Sequence, residues 1–530
     1  MSIHVSLNSM APALVGLVVT LLLHKIWRVR SEQVQLAAIP TIGPQGFFGS
    51  YIGAIQFMSR GREMVEEGYY KYPEGAFKIP LINGWVIYVN GKKMAEDIKK
   101  ASTNELNFVE AVGERLKLDY TMGKGIRVLP YHAEVVRTTL TRSIAARFPD
   151  IRDEIVHAFN NVVPATEDWT SVHALPSIMK IVTRTTNRFL VGLPLCREPE
   201  WIDLNMNYTI KVFLSAQCID LFPTFLHPII ARMVTPLPSA MRRSMKYLVP
   251  MIEERLAKEK EYGNEDWPDK PNDLLSWLLE DTPGPEQRTM EELTHRVLAV
   301  NLAAIHTTSM AFTNTLYHLA AAKPDVVQTL REEIEEAVNE MGWTKLTMGR
   351  LWKLDSFLQE TQRTNGTGAS EIVSPMSSSP LFVCAHLNPI YIAVMSRKVM
   401  KDFIFSDGTF VPAGSIIAYP GYSTHHDESL YKNATTMDPF RFSKMREQNG
   451  ESIRHQMVTT REEWVLFGTG KTACPGRFFA VNELKALLSH VLLTYDVKLE
   501  QEGELPQDEW YADACVPNKS AHVLFRRRQS

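Results

Sequence analysis

The stretch "FGTGKTACPGRFFA", Phe467 to Ala480, decides how the chain is read. Gly470-Lys471-Thr472 copies the end of the phosphate-binding pattern G-x-x-x-x-G-K-[ST]. The first glycine of that pattern falls on Val465, and Pro475 and Gly476 interrupt the helix that must open at Lys-Thr. A phosphate loop is therefore excluded. Helical spacing starts only after Gly476, with Ala480, Leu484, Leu487, Leu488, Val491 and Leu492 at i, i+3, i+4 intervals. The loop thus presents Cys474 just ahead of a helix N-terminus. Free N–H groups and partial positive charge there favour a thiolate over a thiol. The plain alternative for a lone cysteine is an inert buried thiol, so its surroundings must decide.

Composition narrows the field. The 530 residues are 45% hydrophobic and 22% charged, which suits a large globular core. A net charge of −3 gives no reason to expect nucleic acid. The five cysteines, Cys196, Cys218, Cys384, Cys474 and Cys515, are scattered with no C-x-x-C pair. That argues against a disulfide framework or a zinc site, and for a reducing compartment.

The N-terminus reads as a membrane anchor. "MAPALVGLVVTLLLHKIW" is apolar from Met10 to Leu23, and Lys25, Arg28 and Arg30 follow. No small-residue cleavage site comes next, which favours an uncleaved span over a signal peptide. The positive-inside rule then places the body in the cytosol. Residues 1–30 are assigned to the anchor, 31–50 to a Pro/Gly hinge containing "IPTIGPQGFFG", and 51–530 to one large domain. In that domain "AFKIPLINGWVIYVNG" (Ala76 to Gly91) predicts a hairpin turning at Asn83-Gly84. From about Ala95 to Arg363 the pattern is mostly helical. Thr289 and Glu292 form a capping box before Leu293, Val297, Val300 and Leu302. Strands return in "DFIFSDGTFVPAGSIIAYP", with an Asp407-Gly408 turn. The expected fold is mainly α with small β-sheets.

Three more stretches belong with the cysteine loop. "AAIHTTS" (Ala303 to Ser309) puts His-Thr-Thr-Ser in an apolar helix, either as hydroxyls bonded back one turn or as a polar patch at a reactive centre. "ETQR" (Glu360 to Arg363) spaces an acid and a base three apart on one helix face. "DPFRF" (Asp438 to Phe442) carries Arg441 in a loop.

In this order the four stretches resemble the haem–thiolate monooxygenases, the cytochrome P450 family, over nearly the whole chain. Phe467, Gly470, Cys474, Gly476 and Ala480 match the family's cysteine loop, Glu360 and Arg363 its Glu-x-x-Arg pair, and Arg441 the arginine completing a structural triad. The resemblance implies that Cys474 is the axial ligand of haem iron, where a thiolate favours O–O cleavage. It further implies electrons from NADPH through a reductase, and insertion of oxygen into a lipophilic substrate. Thr307, with His306 or Thr308, would serve as the proton relay. The implied location is the endoplasmic reticulum membrane, single-pass, with the catalytic domain cytosolic. Substrate would lie under Asn104 to Tyr120, under Ile210 to Leu226, and against Ala303 and Ala304. "LFPTFLHPII" (Leu221 to Ile230) is either an entrance dipping into lipid or a buried loop.

Two departures concern the site. Thr472 stands where the family usually has a basic residue that pairs with a haem propionate. Pairing would then fall to His132 and Arg137 of "YHAEVVR", a degraded Trp-x-x-x-Arg helix, or to Arg397. His306 stands where an acid usually precedes the threonine. That Ile-His-Thr-Thr variant resembles fungal secondary-metabolism enzymes acting on terpenoids and polyketides. A haem–thiolate isomerase or dehydratase needing no O2, and a catalytically inactive haem-binding protein, remain open alternatives.

A third departure keeps the inactive alternative open. "SEIVSPMSSSPLFVCAHLNPIYIAV", Ser370 to Val394, has neither helical nor alternating period, and "TNGTGA" would join "MSRKVMKDFIFSDG" smoothly without it. A structureless insertion of this length is unusual in a compact domain. Ser370-Glu371 can be encoded with a GTGAG splice donor, Leu387-Asn388 with a CTAAC branch point, and Ile392-Ala393-Val394 with a CAG acceptor. The stretch therefore reads as a translated intron, with a genuine surface loop as the alternative.

Overall fold

The computed structural model describes residues 27, 30–263, 267–366 and 395–529. The anchor sequence Met10 to Leu23 and the stretch Ser370 to Val394 lie outside them. Among the described residues no helix is long and apolar enough to cross a membrane.

Helices dominate, as the periodicity predicts. The ones that position the site are α1 (Phe47–Lys71), α2 (Ala174–Leu190), α3 (Pro199–Asp220), α4 (His227–Val234), α5 (Met290–Ala320), α6 (Trp352–Thr364) and α7 (Arg477–Thr494). The 31-residue α5 runs through the helical core, burying Leu293, Val297, Leu298, Ile305, Phe312 and Leu316. It packs on α2, α3, α6 and α7. Its start follows the capping signal only halfway. Thr289 Oγ1 accepts the Glu292 N–H at 3.2 Å, but the Glu292 carboxylate turns to Arg296 at 2.6 Å instead of returning to the cap. An i, i+4 ion pair has outcompeted the reciprocal half of the box.

The main sheet holds β1 (Ala76–Leu81), β2 (Gly84–Val89), β3 (Leu106–Asn107), β4 (Arg397–Val399) and β5 (Ile416–Ala418), in the order β1-β2-β5-β4-β3. The β1–β2 pair is antiparallel and β2–β5 is parallel. Leu81 pairs with Gly84, so the two hairpin residues are Ile82 and Asn83, one position before the predicted dipeptide. Gly84, at φ +139°, opens β2.

The stretch read as a hinge is tied down where it is described. Lys78, buried in β1, donates through Nζ to the carbonyls of Leu36 (2.6 Å) and Ile39. Its N–H meets Pro40 O at 2.8 Å, and Ile42 N–H meets Lys78 O at 3.0 Å. The linker thus docks as a short extra strand, and helix α1 already begins at Phe47. The segment Leu221 to Ile230 is not a buried loop. It forms a helical turn leading into α4, and it leaves Phe222, Phe225, Ile229 and the following Met233 exposed.

Candidate active site

The cysteine loop takes its shape from two glycines. Gly468 and Gly470 sit at φ +68° and +64°, a region that side chains disfavour, and a Cβ on Gly470 would come 2.9 Å from Lys99 O. These bends close the loop so that the Cys474 N–H reaches Phe467 O at 2.8 Å. Burial pushes the Cys474 thiol pKa up. The N–H groups of Gly476 and Arg477 and the Arg477 guanidinium offset part of that rise, and the net shift remains upward. The thiolate therefore has donors waiting at the start of α7, as the sequence implied. Arg477 also bonds Cys474 O at 3.0 Å. It was missed in the sequence reading, although its place one helical turn beyond the cysteine was a usable signal.

Across the core, α5 carries an open strip. His306, Thr308 and Ser309 are buried, yet Ala303 and Thr307, one turn apart, are exposed. Exposure in the middle of a helix packed on four others means open space in front of those two residues. Thr307 Oγ1 donates to Ala303 O at 2.8 Å. His306 leaves that strip: its Nε2 lies 2.9 Å from Met206 O on α3. Burial lowers its pKa to about 4, so the ring is neutral and Nε2 carries the donated proton.

The chain matches the family model described as Cytochrome P450 over residues 44–371 and 387–525. The chain belongs to the cytochrome P450 family. It is 40% identical over 521 residues to cytochrome P450 monooxygenase 151 of Postia placenta, covering 98% of both chains. It is 34% identical to cytochrome P450 monooxygenase CYP512U6 of Ganoderma lucidum, covering 95% of this chain and 94% of that one. It is 28% identical to cytochrome P450 monooxygenase paxQ of Penicillium paxilli, with 97% of each covered. Among solved structures it resembles retinoic acid bound cyanobacterial CYP120A1, with a TM-score of 0.62, 17% identity, and coverage of 92% and 98%, a likeness of fold.

Membership of the P450 family implies haem, and the residues present fit it. Arg397 is 2% exposed and has no acidic partner among the described residues. Its guanidinium donates only to Ser396 O (2.8 Å) and to Thr472 Oγ1, and burial lowers its pKa to about 10. His132 Nδ1 is sealed from solvent with no partner, as is Arg477 Nε. Burial holds His132 neutral, with a pKa of about 4. A buried cation without an acid and two orphaned nitrogens are groups that an anionic cofactor can satisfy. Haem propionates would supply that charge, and Cys474 would supply a soft ligand. Arg137 sits differently: it is partly exposed, pairs with Glu134 at 2.6 Å and donates to Lys471 O at 3.1 Å, which ties its helix to the cysteine loop.

The P450 scaffold behind the loop is held by charge. The Arg363 guanidinium donates two hydrogen bonds to the Glu360 carboxylate, one to each oxygen at 2.8 Å, and both residues are fully buried. Arg441 Nε adds 3.0 and 3.1 Å contacts to the same carboxylate. The remaining guanidinium donors go to carbonyls of His425, Ala434, Lys432, Asn433 and Thr436. Few donors are left idle, which is what lets the two buried charges of Glu360 and Arg363 persist beside the partly exposed Arg441.

Proposed function

We propose that this P450 oxidises a lipophilic secondary metabolite, a terpenoid by the Ile-His-Thr-Thr pattern of α5, with electrons from NADPH delivered by a reductase. The observation that carries the reading is the open strip at Ala303 and Thr307 in a core that also presents Cys474 from a loop of helix-terminal donors.

Haem held by Cys474 supplies the O2-activating chemistry that puts one oxygen atom into a C–H bond and releases the other as water. The chain does the rest. Arg397 would offset the propionate charge, and the neutral His132 ring would offer its unpartnered Nδ1 as a hydrogen-bonding group. Ala303 leaves room for substrate. Thr307 Oγ1 holds a proton in a bond to Ala303 O and can turn outward to a water in the cavity, so it is the proton carrier of the strip.

The exposed Phe222, Phe225, Ile229 and Met233 support a second lipid contact beside the anchor sequence, with the domain on the cytosolic face of the endoplasmic reticulum. Asn83 Nδ2 bonds Asp220 O at 2.8 Å, so this segment is moored to the β1–β2 hairpin. The stretch Ser370 to Val394 is read as an intron absent from the working enzyme.

Reconstitution with a reductase, NADPH and 18O2 tests the reading. One labelled oxygen atom should enter a terpenoid substrate. Turnover without O2 or NADPH would favour the isomerase or dehydratase alternative. A thiolate-ligated protein that processes nothing would favour the inactive one.

A further inference from the structure

We propose that His306 is a positioning residue that latches α3 to α5, so that moving α3, and the exposed apolar segment that follows it, away from α5 requires breaking its bond to Met206 O. The proposal rests on the P450 reading above and assigns His306 a task other than proton relay.

Three observations carry it. The imidazole Nε2 meets Met206 O at 2.9 Å, and a carbonyl can only accept, so this nitrogen is the donor. His306 is 7% exposed and follows the exposed Ala303 by three residues, so the ring faces α3 while its neighbour Thr307 faces the cavity. The two ends of α3 are moored elsewhere. At its start Trp201 Nε1 bonds Asn187 Oδ1 at 2.8 Å, and Asn187 in turn bonds Asn301 of α5 at 2.8 Å. At its end Asp220 is held by Asn83 (2.8 Å) and by Lys117 (2.5 Å).

His306 is therefore the polar tie between α5 and the middle of α3, one residue from Thr307. Helix α3 leads directly into the exposed apolar segment that ends in α4. Movement of that segment away from the cavity pulls on Met206, and the bond to His306 resists it. When substrate fills the cavity and α3 settles, the same bond fixes the turn of α5 that carries Thr307. Entry and oxygen activation are thus mechanically joined through one side chain.

Exchange kinetics of 4-phenylimidazole with the haem-loaded enzyme test this, followed by the Soret shift of a nitrogen ligand. His306→Leu should speed both association and dissociation about five- to tenfold, the scale of one net hydrogen bond. His306→Gln, whose amide can still donate toward Met206 O, should restore most of the wild-type rates. Amide hydrogen exchange at Tyr208 to Phe213 should rise in the leucine variant and return in the glutamine one. If the leucine variant loads no haem, His306→Asn, whose amide is too short to reach, takes its place with the same expectation. Wild-type exchange rates in a variant that cannot donate would overturn the latch. Raised peroxide release with unchanged ligand exchange would also overturn it, in favour of proton relay. In every variant the thiolate-type Soret band of the reduced CO complex reports separately on the P450 reading.

Discussion

Arg397 of β4 donates a guanidinium hydrogen to Thr472 Oγ1, two residues before the cysteine. The threonine thus takes a basic side chain from the sheet, where the family resemblance implies one in the loop itself. A buried arginine is costly without an anion, and here it is held in place by a hydroxyl and one carbonyl. Arg397→Leu should lower the haem content of purified protein and speed haem loss to apomyoglobin, with the CO-band position kept in the fraction that loads. Thr472→Val removes only the acceptor and should do the same more weakly. Full loading and wild-type loss rates in Arg397→Leu would remove it from the propionate site.

Much of this site was legible in the sequence because its motifs are local. The glycine bends at Gly468 and Gly470, the helix after Gly476 and the Glu360–Arg363 pair are each specified within a few residues. What was not legible depends on chain-distant partners. The acceptor for His306 is the backbone carbonyl of Met206, 100 positions away, and any residue type offers a carbonyl. The role of Lys78 as a clamp on the linker is hidden in the same way, because its acceptors are also carbonyls. The hairpin register slipped by one because Asn83-Gly84 is a strong turn signal, yet Gly84 is consumed by pairing with Leu81.

Thr307 is expected to matter for coupling and not for fold. Its hydroxyl bonds back to its own helix, so Thr307→Ala leaves no buried partner unsatisfied beyond one carbonyl that already accepts in the helix. Haem content and melting temperature should stay within error of wild type. Peroxide formed per NADPH consumed should rise several-fold. Unchanged coupling would exclude Thr307 from proton delivery.

The Glu360 triad should behave as structure. Glu360→Gln strips the negative charge from the buried Arg363 and the partly buried Arg441, and breaking a buried pair in this way costs about 3–5 kcal/mol. The variant should express poorly, melt well below wild type and lose haem on heating. A stably loaded variant with selective loss of turnover would contradict the structural assignment.

Glu483 on α7 offers a pH test. It is fully buried, burial raises its pKa to about 7, and the Thr185 and Thr186 hydroxyls bond it at 2.7 and 3.0 Å. A carboxyl whose folded pKa lies above its unfolded value binds more protons when folded. Its contribution is therefore intact below the unfolded value and turns unfavourable as pH rises through about 7. Glu483→Gln should then gain on wild type by about 1 kcal/mol between pH 6 and pH 8, the tail of a change that begins at the unfolded carboxyl pKa and levels off above about 7. Melting curves of both proteins at the two pH values check this, and a pH-independent difference would count against it.

The stretch Ser370 to Val394 is tested at the transcript. The family match stops at residue 371 and resumes at 387, so the unmatched residues 372–386 fall inside the segment whose codons can hold a donor, a branch point and an acceptor. The flanks are both committed to the site. Arg363, at the end of α6, belongs to the buried triad, and Arg397 of β4 reaches Thr472. A long connection between them has a modest entropic penalty in itself, since closure grows only with the logarithm of length. The apolar sequence around Leu381 to Cys384 is the larger liability, because apolar residues in a long inserted stretch favour aggregation. The mature message should therefore lack these codons. Protein made without residues 370–394 should load haem through Cys474, while the full chain should load less and aggregate more. A mature message that retains the codons, together with full-length protein that binds haem stoichiometrically, would establish the stretch as a genuine loop.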